Sequence, residues 1–351
     1  MNSVLKIFFP LVLIVTVVYS AISNATDAYV HAKSVSDAAT IMFHQQKFAE
    51  LNSLEEQYRS SKERLPDGRW KLDLLFSGLS FVRNREKFNE RNENLKLTDQ
   101  WIAATPLNAA PYLAKATVLL SYADNIQSRD FKNDSADKKS AKLRLWTQGR
   151  ITQARKVLEE SADLSQQSPY WYVVMESIAL AQGWGKSEFT ALYEQASNRW
   201  PTYYAIHEKA VDYQVKQWRE DKVALAQLVQ RATERANAEE GRGLYARLYW
   251  SQLNSLGEDT FDKGYANWQA MSQGFRDIEK RYPQSALNLN AFTYYACLAQ
   301  DWEMVRTLIP QFSTDPHLDI WISYAKFFAC GDRAGVDWKN VSWELSDVWK
   351  R

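Results

Sequence analysis

Tyrosines and tryptophans are the residues of this chain with the clearest binding chemistry. The 351 residues include fourteen tryptophans and eighteen tyrosines. Such rings line grooves that stack sugar rings or grip a peptide, but aromatic residues at helical spacing more often belong to a core. Four aromatic residues are the candidates for a binding groove: Trp171, Trp184, Tyr204 and Trp218.

A glutamate followed by a serine, Glu176-Ser177, is the one pair that suggests catalysis. It resembles the E-S pair of lytic transglycosylases, in which the glutamate is a general acid. The resemblance implies a carboxyl group with a raised pKa in a saccharide-binding cleft, where it protonates the glycosidic oxygen. The G-L-M-Q segment of that family is missing, and A-Q-G-W-G-K stands in its place. We therefore interpret Glu176 as a polar helical residue between Trp171 and Ile178.

The sequence contains no other recognisable catalytic or metal-binding pattern. Its four histidines form neither an H-E-x-x-H motif nor a close pair with a cysteine: His31, His44, His207 and His317. A zinc site is therefore not expected. There is also no G-x-S-x-G nucleophile motif and no glycine-rich phosphate loop. We predict no catalytic residues, no metal, no cofactor and no enzymatic activity.

The two cysteines, Cys297 and Cys330, lie in apolar helical patterns near the C-terminus. In an oxidising compartment they are able to pair, and the disulfide would stabilise the fold by about 3–4 kcal/mol in the chain-entropy account. The alternative is a pair of buried free thiols, because cysteine is among the residues most often buried. The sequence leaves both interpretations open.

The first residues have the pattern of a secretory signal. Lys6 provides a short positive region, and an apolar run extends from Ile7 to Val18. Small residues follow, and the best cleavage site comes after Ala25. The alternative is an uncleaved anchor in the inner membrane, although this run is shorter than the roughly 20 residues that span a bilayer. We expect an extracytoplasmic protein, either periplasmic or secreted.

Charge gives no sign of a nucleic-acid partner. The chain has 43 basic and 42 acidic residues, so its formal net charge is +1. Proteins that bind nucleic acids through phosphates carry a basic surplus. We expect a protein or peptide partner, no nucleic acid, and contact with a membrane only through an uncleaved N-terminal segment.

Hydrophobic residues recur with a helical period nearly everywhere, and no segment alternates convincingly as a strand would. Spacings of i, i+3, i+4, i+7 and i+11 place five apolar residues on one helical face: Phe189, Leu192, Tyr193, Ala196 and Trp200. We therefore predict an all-α protein.

Five prolines mark turns between paired helices: Pro66, Pro106, Pro169, Pro201 and Pro283. The fixed φ of proline suits the first turn of a helix. The step from Pro169 to Pro201 is close to the tetratricopeptide period of about 34 residues. Each helical pair leaves an apolar face that a stacked neighbour covers. These patterns predict an irregular α-solenoid of tetratricopeptide-like helical hairpins.

Composition divides the chain into four segments. One stretch is charged and has no apolar period, and we interpret it as a loop between two helical parts. The predicted segments are a signal peptide at 1–25, N-terminal helical repeats at 26–125, a polar loop at 126–140 and the main tetratricopeptide-like array at 141–351.

The stretch from Trp146 to Trp218 resembles a bacterial family known as domain of unknown function 4034. The shared features are an early tryptophan, a proline closely followed by a tryptophan, a Q-G-W turn and a P-x-Y-Y segment before a closing tryptophan. In this chain they are Trp146, Pro169 with Trp171, Gln182-Gly183-Trp184 and Pro201 with Tyr203-Tyr204. Family members often have glycines after the closing tryptophan, where this chain has Arg219-Glu220. The resemblance implies a tetratricopeptide-like fold and no established activity.

Together these features predict an extracytoplasmic helical-repeat protein that serves as a protein- or peptide-binding scaffold. Rigid stacked helices would present a concave face with aromatic anchors and a charged rim. The alternative is an envelope protein that binds or cleaves glycan, and a third possibility is a purely structural component of the envelope.

Cleavage of the signal should give a mature chain that begins at Thr26, because Ser23-Asn24-Ala25 is the best cleavage site. Mass spectrometry of the intact protein from its native host measures this directly. A mature N-terminus at Met1 would contradict cleavage and indicate an anchored protein.

Overall fold

This computed structural model describes residues 28–80, 88–130, 137–218, 220–263 and 265–341. Within these residues the chain is all-helical, with nineteen α-helices and no strand. The all-α prediction is therefore confirmed. The predicted signal peptide lies outside the described residues. Among the helices that are described, none is long and apolar enough to cross a membrane.

The helices follow each other with short connections. The first seven are α1 (Ala28–His44), α2 (Phe48–Ser61), α3 (Lys71–Ser80), α4 (Phe88–Ala104), α5 (Ala110–Asp130), α6 (Asp137–Glu160) and α7 (Ala162–Ser165). The next six are α8 (Pro169–Gln182), α9 (Lys186–Arg199), α10 (Tyr204–Trp218), α11 (Lys222–Glu240), α12 (Gly243–Ser251) and α13 (Leu253–Leu256). The last six are α14 (Asp259–Asp262), α15 (Trp268–Arg281), α16 (Ala286–Leu298), α17 (Trp302–Leu308), α18 (Leu318–Trp321) and α19 (Tyr324–Ala334).

Helix α15 shows how local sequence forms these elements. Asn267 precedes the helix, and its side-chain oxygen accepts the N–H of Ala270, which caps the first turn. Met271, Phe275 and Ile278 are buried on one face of the helix. The apolar period therefore selects the face that packs, and the cap residue determines where the helix begins.

We call helices α6 to α19 the array. Within it, helices α8 to α12 pack on near neighbours in the chain. Helix α8 contacts α9 and α10, and α10 contacts α11 and α12. Helix α12 packs on α15, which packs on α16. Helix α1 lies along α3 and also contacts α16, so the N-terminal helices reach the C-terminal part of the array. Buried apolar residues from Ala39 to Ala334 form one cluster.

The segment 126–140, which we predicted as a polar loop, is helical where the structure describes it. Helix α5 extends to residue 130 and α6 begins at residue 137, while residues 131–136 lie outside the described part of the chain. Charged and amide side chains have good helix propensity, and a helix that has already formed extends easily. These two helices therefore extend into a stretch that has no apolar period.

Cys297 on α16 and Cys330 on α19 form a disulfide, with their Cα atoms 6.0 Å apart. The sequence left open either a disulfide or two buried free thiols, and the structure has the disulfide. The bond links α19 to α16 directly, in addition to the packing of α19 on α17. It thereby fastens the last described α-helix to the array.

Helix α15 approaches α12 closely at Gly274. A methyl group at this position would lie 2.6 Å from the carbonyl oxygen of Arg242 and 3.0 Å from the Cβ of Ala246. Gly149, inside α6, would have no neighbouring atom within 4 Å of the same methyl group. Both glycines are therefore helical, but Gly274 lies against a neighbouring part of the chain, whereas Gly149 has open space where a side chain would lie.

Replacing Gly274 with alanine should lower the free energy of unfolding by about 1–3 kcal/mol, because overpacking separates α15 from α12. The matched variant Gly149→Ala should raise it by about 1 kcal/mol, because alanine is the better helix former. Urea unfolding of both variants measures these changes. Equal stabilisation in the two variants would contradict the close contact.

Candidate functional site

Two of the four predicted aromatic anchors, Trp171 and Tyr204, are buried, with exposed fractions of 6% and 3%. Trp171 donates its indole N–H to the carbonyl of Leu158 at 3.2 Å. The Tyr204 hydroxyl donates to a carboxylate oxygen of Glu240 at 2.7 Å. The expectation that these two rings line an open groove is therefore wrong, because other parts of the chain cover them.

The other two anchors, Trp184 and Trp218, are half-buried and each has a cation over its ring. The guanidinium carbon of Arg155 lies 4.5 Å from the Trp184 ring centroid. The ammonium of Lys186 lies 5.6 Å from the Trp218 ring centroid. These cation–π contacts cover one face of each ring. A partner that stacked on that face would have to displace the cation.

Glu176 lies in the core, with 1% of its surface exposed. Neither carboxyl oxygen has a hydrogen-bond partner among the described residues. Burial raises the pKa of this carboxyl well above its usual value, although the nearby Lys209 ammonium acts in the opposite direction. Burial therefore favours the protonated form of this carboxyl in the folded protein. The carboxyl is also too deeply buried to protonate a glycosidic oxygen. The Glu176-Ser177 pair therefore no longer supports a glycan-cleaving enzyme.

His207 is buried beside this region and fully hydrogen-bonded. Its Nε2 lies 2.9 Å from the carbonyl oxygen of Pro201, so it donates there. Its Nδ1 lies 2.9 Å from the hydroxyl of Tyr193 and accepts that proton. Burial lowers the pKa of His207 to about 4, which keeps the ring neutral. No three acidic, histidine or cysteine residues in the described part of the chain are placed to hold a metal ion.

One long-range contact of the array involves residues 62–70, which join α2 to α3. We call these residues the docked segment. A β-bridge pairs Arg64 with Trp70 at its two ends, and Gly68 closes the turn between them with a φ of +95°. The docked segment contacts the turn that joins α9 to α10, the last residue of α11, and residues within α12 and α16.

Main-chain carbonyls provide most of the hydrogen bonds between the docked segment and the array. Arg247 on α12 and Asn288 on α16 both donate to the carbonyl oxygen of Asp67, Asn288 at 3.3 Å. In the opposite direction, the indole N–H of Trp70 donates to the carbonyl oxygen of Thr202 at 2.9 Å. The array therefore holds an irregular stretch of polypeptide through groups that every peptide has.

Arg64 adds the charged contact. Its guanidinium carbon lies 5.3 Å from the Trp70 ring centroid and 5.0 Å from that of Tyr204. One of its nitrogens lies 3.1 Å from a carboxylate oxygen of Glu240. Tyr204 is therefore buried because the docked segment covers it. Sequence reasoning missed this contact, although the Pro66-Asp67-Gly68 turn signal was visible.

A second surface remains open. Nine residues line a cavity of about 640 Å³ between the exposed side of α11 and the start of α15, and we call it the tyrosine groove. They are Ala226, Gln227, Gln230, Arg231, Tyr245, Tyr249, Tyr265, Ala266 and Asn267. The residues from α11 are exposed, and the tyrosines lie deeper. We did not predict this groove, because its residues come from three separate elements.

A comparison of the chain with protein-family models, with curated proteins and with solved structures finds no match. The resemblance to family 4034 therefore stays a prediction, and function has to be argued from the geometry.

Replacing Glu176 with glutamine should raise the free energy of unfolding at pH 7 and change it little at pH 4. The folded carboxyl keeps its proton, whereas the unfolded carboxyl ionises above its ordinary pKa of 4.5. Native stability therefore falls as pH rises above that value, by up to about 1.4 kcal/mol per pH unit for one proton. Glutamine has no proton to lose, so this fall disappears in the variant.

Urea unfolding between pH 4 and pH 8 tests this expectation. The control is Glu56→Gln, which changes an exposed carboxyl on α2 and should show no comparable pH-dependent gain. His207 has the opposite effect on the pH dependence of stability: because its pKa is lowered, the free energy of unfolding decreases as pH falls below 6.5. The variant and the native protein share this effect, so it cancels in their difference. An equal gain at pH 4 and pH 8 would contradict the buried protonated acid.

Proposed function

We propose that this protein is an extracytoplasmic α-solenoid of irregular, tetratricopeptide-like hairpins that binds protein or peptide partners. The packing of helices on their first and second neighbours supports the solenoid, because stacked hairpins make this pattern of contacts. The prolines between successive helices also support it: Pro106, Pro169, Pro201 and Pro283 each lie at or just before the start of a helix.

The observation that carries the proposed function is the docked segment. The array already holds a stretch of polypeptide of irregular conformation, and it does so through backbone carbonyls. Arg247, Asn288 and Thr202 come from three different parts of the array and contact the same short segment. The face of the array beneath this segment therefore has groups that peptide recognition uses.

The position of the docked segment also limits where a partner binds. The surface that it covers is not free, and the rings of Trp171 and Tyr204 are buried. The tyrosine groove is open and combines aromatic rings with polar side chains, as ligand sites commonly do. We therefore assign the partner to the open side of α11 and α12.

Two features support an extracytoplasmic location. The N-terminal sequence has the pattern of a secretory signal. The Cys297–Cys330 disulfide suits an oxidising compartment, such as the periplasm or the exterior of the cell.

Crosslinked affinity capture from the envelope of the native host tests the proposed function. A photoreactive residue replaces Gln227 in the tyrosine groove of one sample and the exposed Gln153 on α6 of another. We expect a discrete protein product above background from the Gln227 sample and a weaker one from the Gln153 sample. Absence of any protein product from either sample would contradict a protein- or peptide-binding scaffold.

Incubation with purified peptidoglycan tests the glycan alternative. We expect no soluble fragments, because the only candidate acid, Glu176, is buried. Fragments released by the native protein and lost in Glu176→Gln would support a glycan-cleaving enzyme instead.

A further inference from the structure

The hydroxyl groups in the tyrosine groove leave one donor for a ligand. The Tyr245 oxygen accepts the backbone N–H of Asn267 at 3.1 Å. The ring of Tyr249 lies beside that of Tyr245, with the two centroids 5.0 Å apart. A tyrosine hydroxyl both accepts and donates hydrogen bonds. Because the Tyr245 oxygen accepts from Asn267, its proton remains able to donate to an acceptor that the ligand supplies.

Charge in the groove has one sign. Arg231 is exposed, is the only charged residue of the lining, and makes no ion pair or hydrogen bond to another residue in the described part of the chain. The nearest acid along the same face of α11, Glu234, accepts a hydrogen bond from Gln230 at 2.7 Å. The lining therefore offers donors and a positive charge but no carboxylate.

This set of groups favours particular ligand chemistry. A sugar ring presents hydroxyl donors, which carboxylate acceptors usually bind, and this groove has none. An extended peptide presents carbonyl acceptors, and proline removes the competing N–H groups and fixes an extended conformation. Aromatic-lined grooves with a few donors recognise such segments. A carboxylate on the ligand would complement Arg231.

The rim of the groove adds apolar surface. Val223 is 68% exposed on α11 and lies one helical turn before Gln227. Tyr265 lies across the groove from α11 and is buried beneath the ammonium of Lys222, 5.1 Å from its ring centroid. Apolar side chains of a bound segment would therefore cover a valine that is otherwise left in water.

We propose that the tyrosine groove binds an extended, proline-containing segment of a partner protein, with an acidic side chain of that segment paired to Arg231. This inference rests on the proposed peptide-binding function and names the class of its partner. The Tyr245 hydroxyl donates to a carbonyl oxygen of the segment, and the half-buried Tyr245 ring contacts a proline of the segment.

Fluorescence anisotropy with two labelled probes tests this inference on the full-length mature protein. One probe is an eight-residue proline peptide with a single central aspartate, and the other has lysine in its place. We expect the aspartate probe to bind about tenfold more tightly, as charge-assisted hydrogen bonds allow. Arg231→Gln should remove this difference, and Tyr245→Phe should weaken both probes severalfold. Arg276→Gln, an exposed change on α15, should leave the binding of both probes unchanged.

Equal affinity for the two probes, or full binding of the aspartate probe by Arg231→Gln, would overturn the inference. Displacement of the aspartate probe by soluble peptidoglycan fragments would also overturn it and indicate a glycan site. If crosslinked capture succeeds and Arg231→Gln does not reduce it, the scaffold function stands and the groove is not its site. If capture fails at both labelled positions, the scaffold function itself is contradicted.

Discussion

The packing of the docked segment against the array depends on the hydrogen bonds to the carbonyl oxygen of Asp67. Arg247 from α12 and Asn288 from α16 donate to it, so two distant helices meet the first third of the chain at one atom. Arg247 is 4% exposed and has no ion pair with a carboxylate among the described residues. Its charge lies over the rings of Tyr204 and Tyr282, at 4.6 Å and 5.5 Å from their centroids. A buried guanidinium is costly unless such contacts surround it. The docked segment therefore supplies a hydrogen-bond acceptor that helps to offset the burial of the Arg247 guanidinium.

The same need for internal partners explains where the aromatic residues and buried polar groups lie. Trp184 and Trp218 are covered by cations of the chain, and Tyr204 is covered by the docked segment. His207 stays neutral because both of its nitrogens are hydrogen-bonded. Glu176 lacks such partners among the described residues, and its burial raises the pKa of the carboxyl and so favours the protonated form. The aromatic content that first suggests a binding platform is therefore used mostly to join one helix to the next.

The docked segment and the tyrosine groove use related chemistry in different ways. Beneath the docked segment, donors from the array and a tryptophan from the segment meet backbone carbonyls, and the surface is already covered. In the groove, a tyrosine hydroxyl, amides and an arginine face an open cavity. A surface that is filled within the chain stabilises the fold, whereas one that is left open is able to bind a partner. This contrast underlies the assignment of the partner site to α11 and α12.

The sequence by itself determined the local structure. The helical period placed Met271, Phe275 and Ile278 on one buried face, and the prolines marked the turns, because both signals act within a few residues. It also singled out the two cysteines that form the disulfide. Only the tertiary structure decided which aromatic rings are exposed, that residues 62–70 cover Tyr204, and that three tyrosines and Arg231 line one groove. These outcomes depend on contacts between residues far apart in the chain, and such contacts leave no periodic signal in a single sequence.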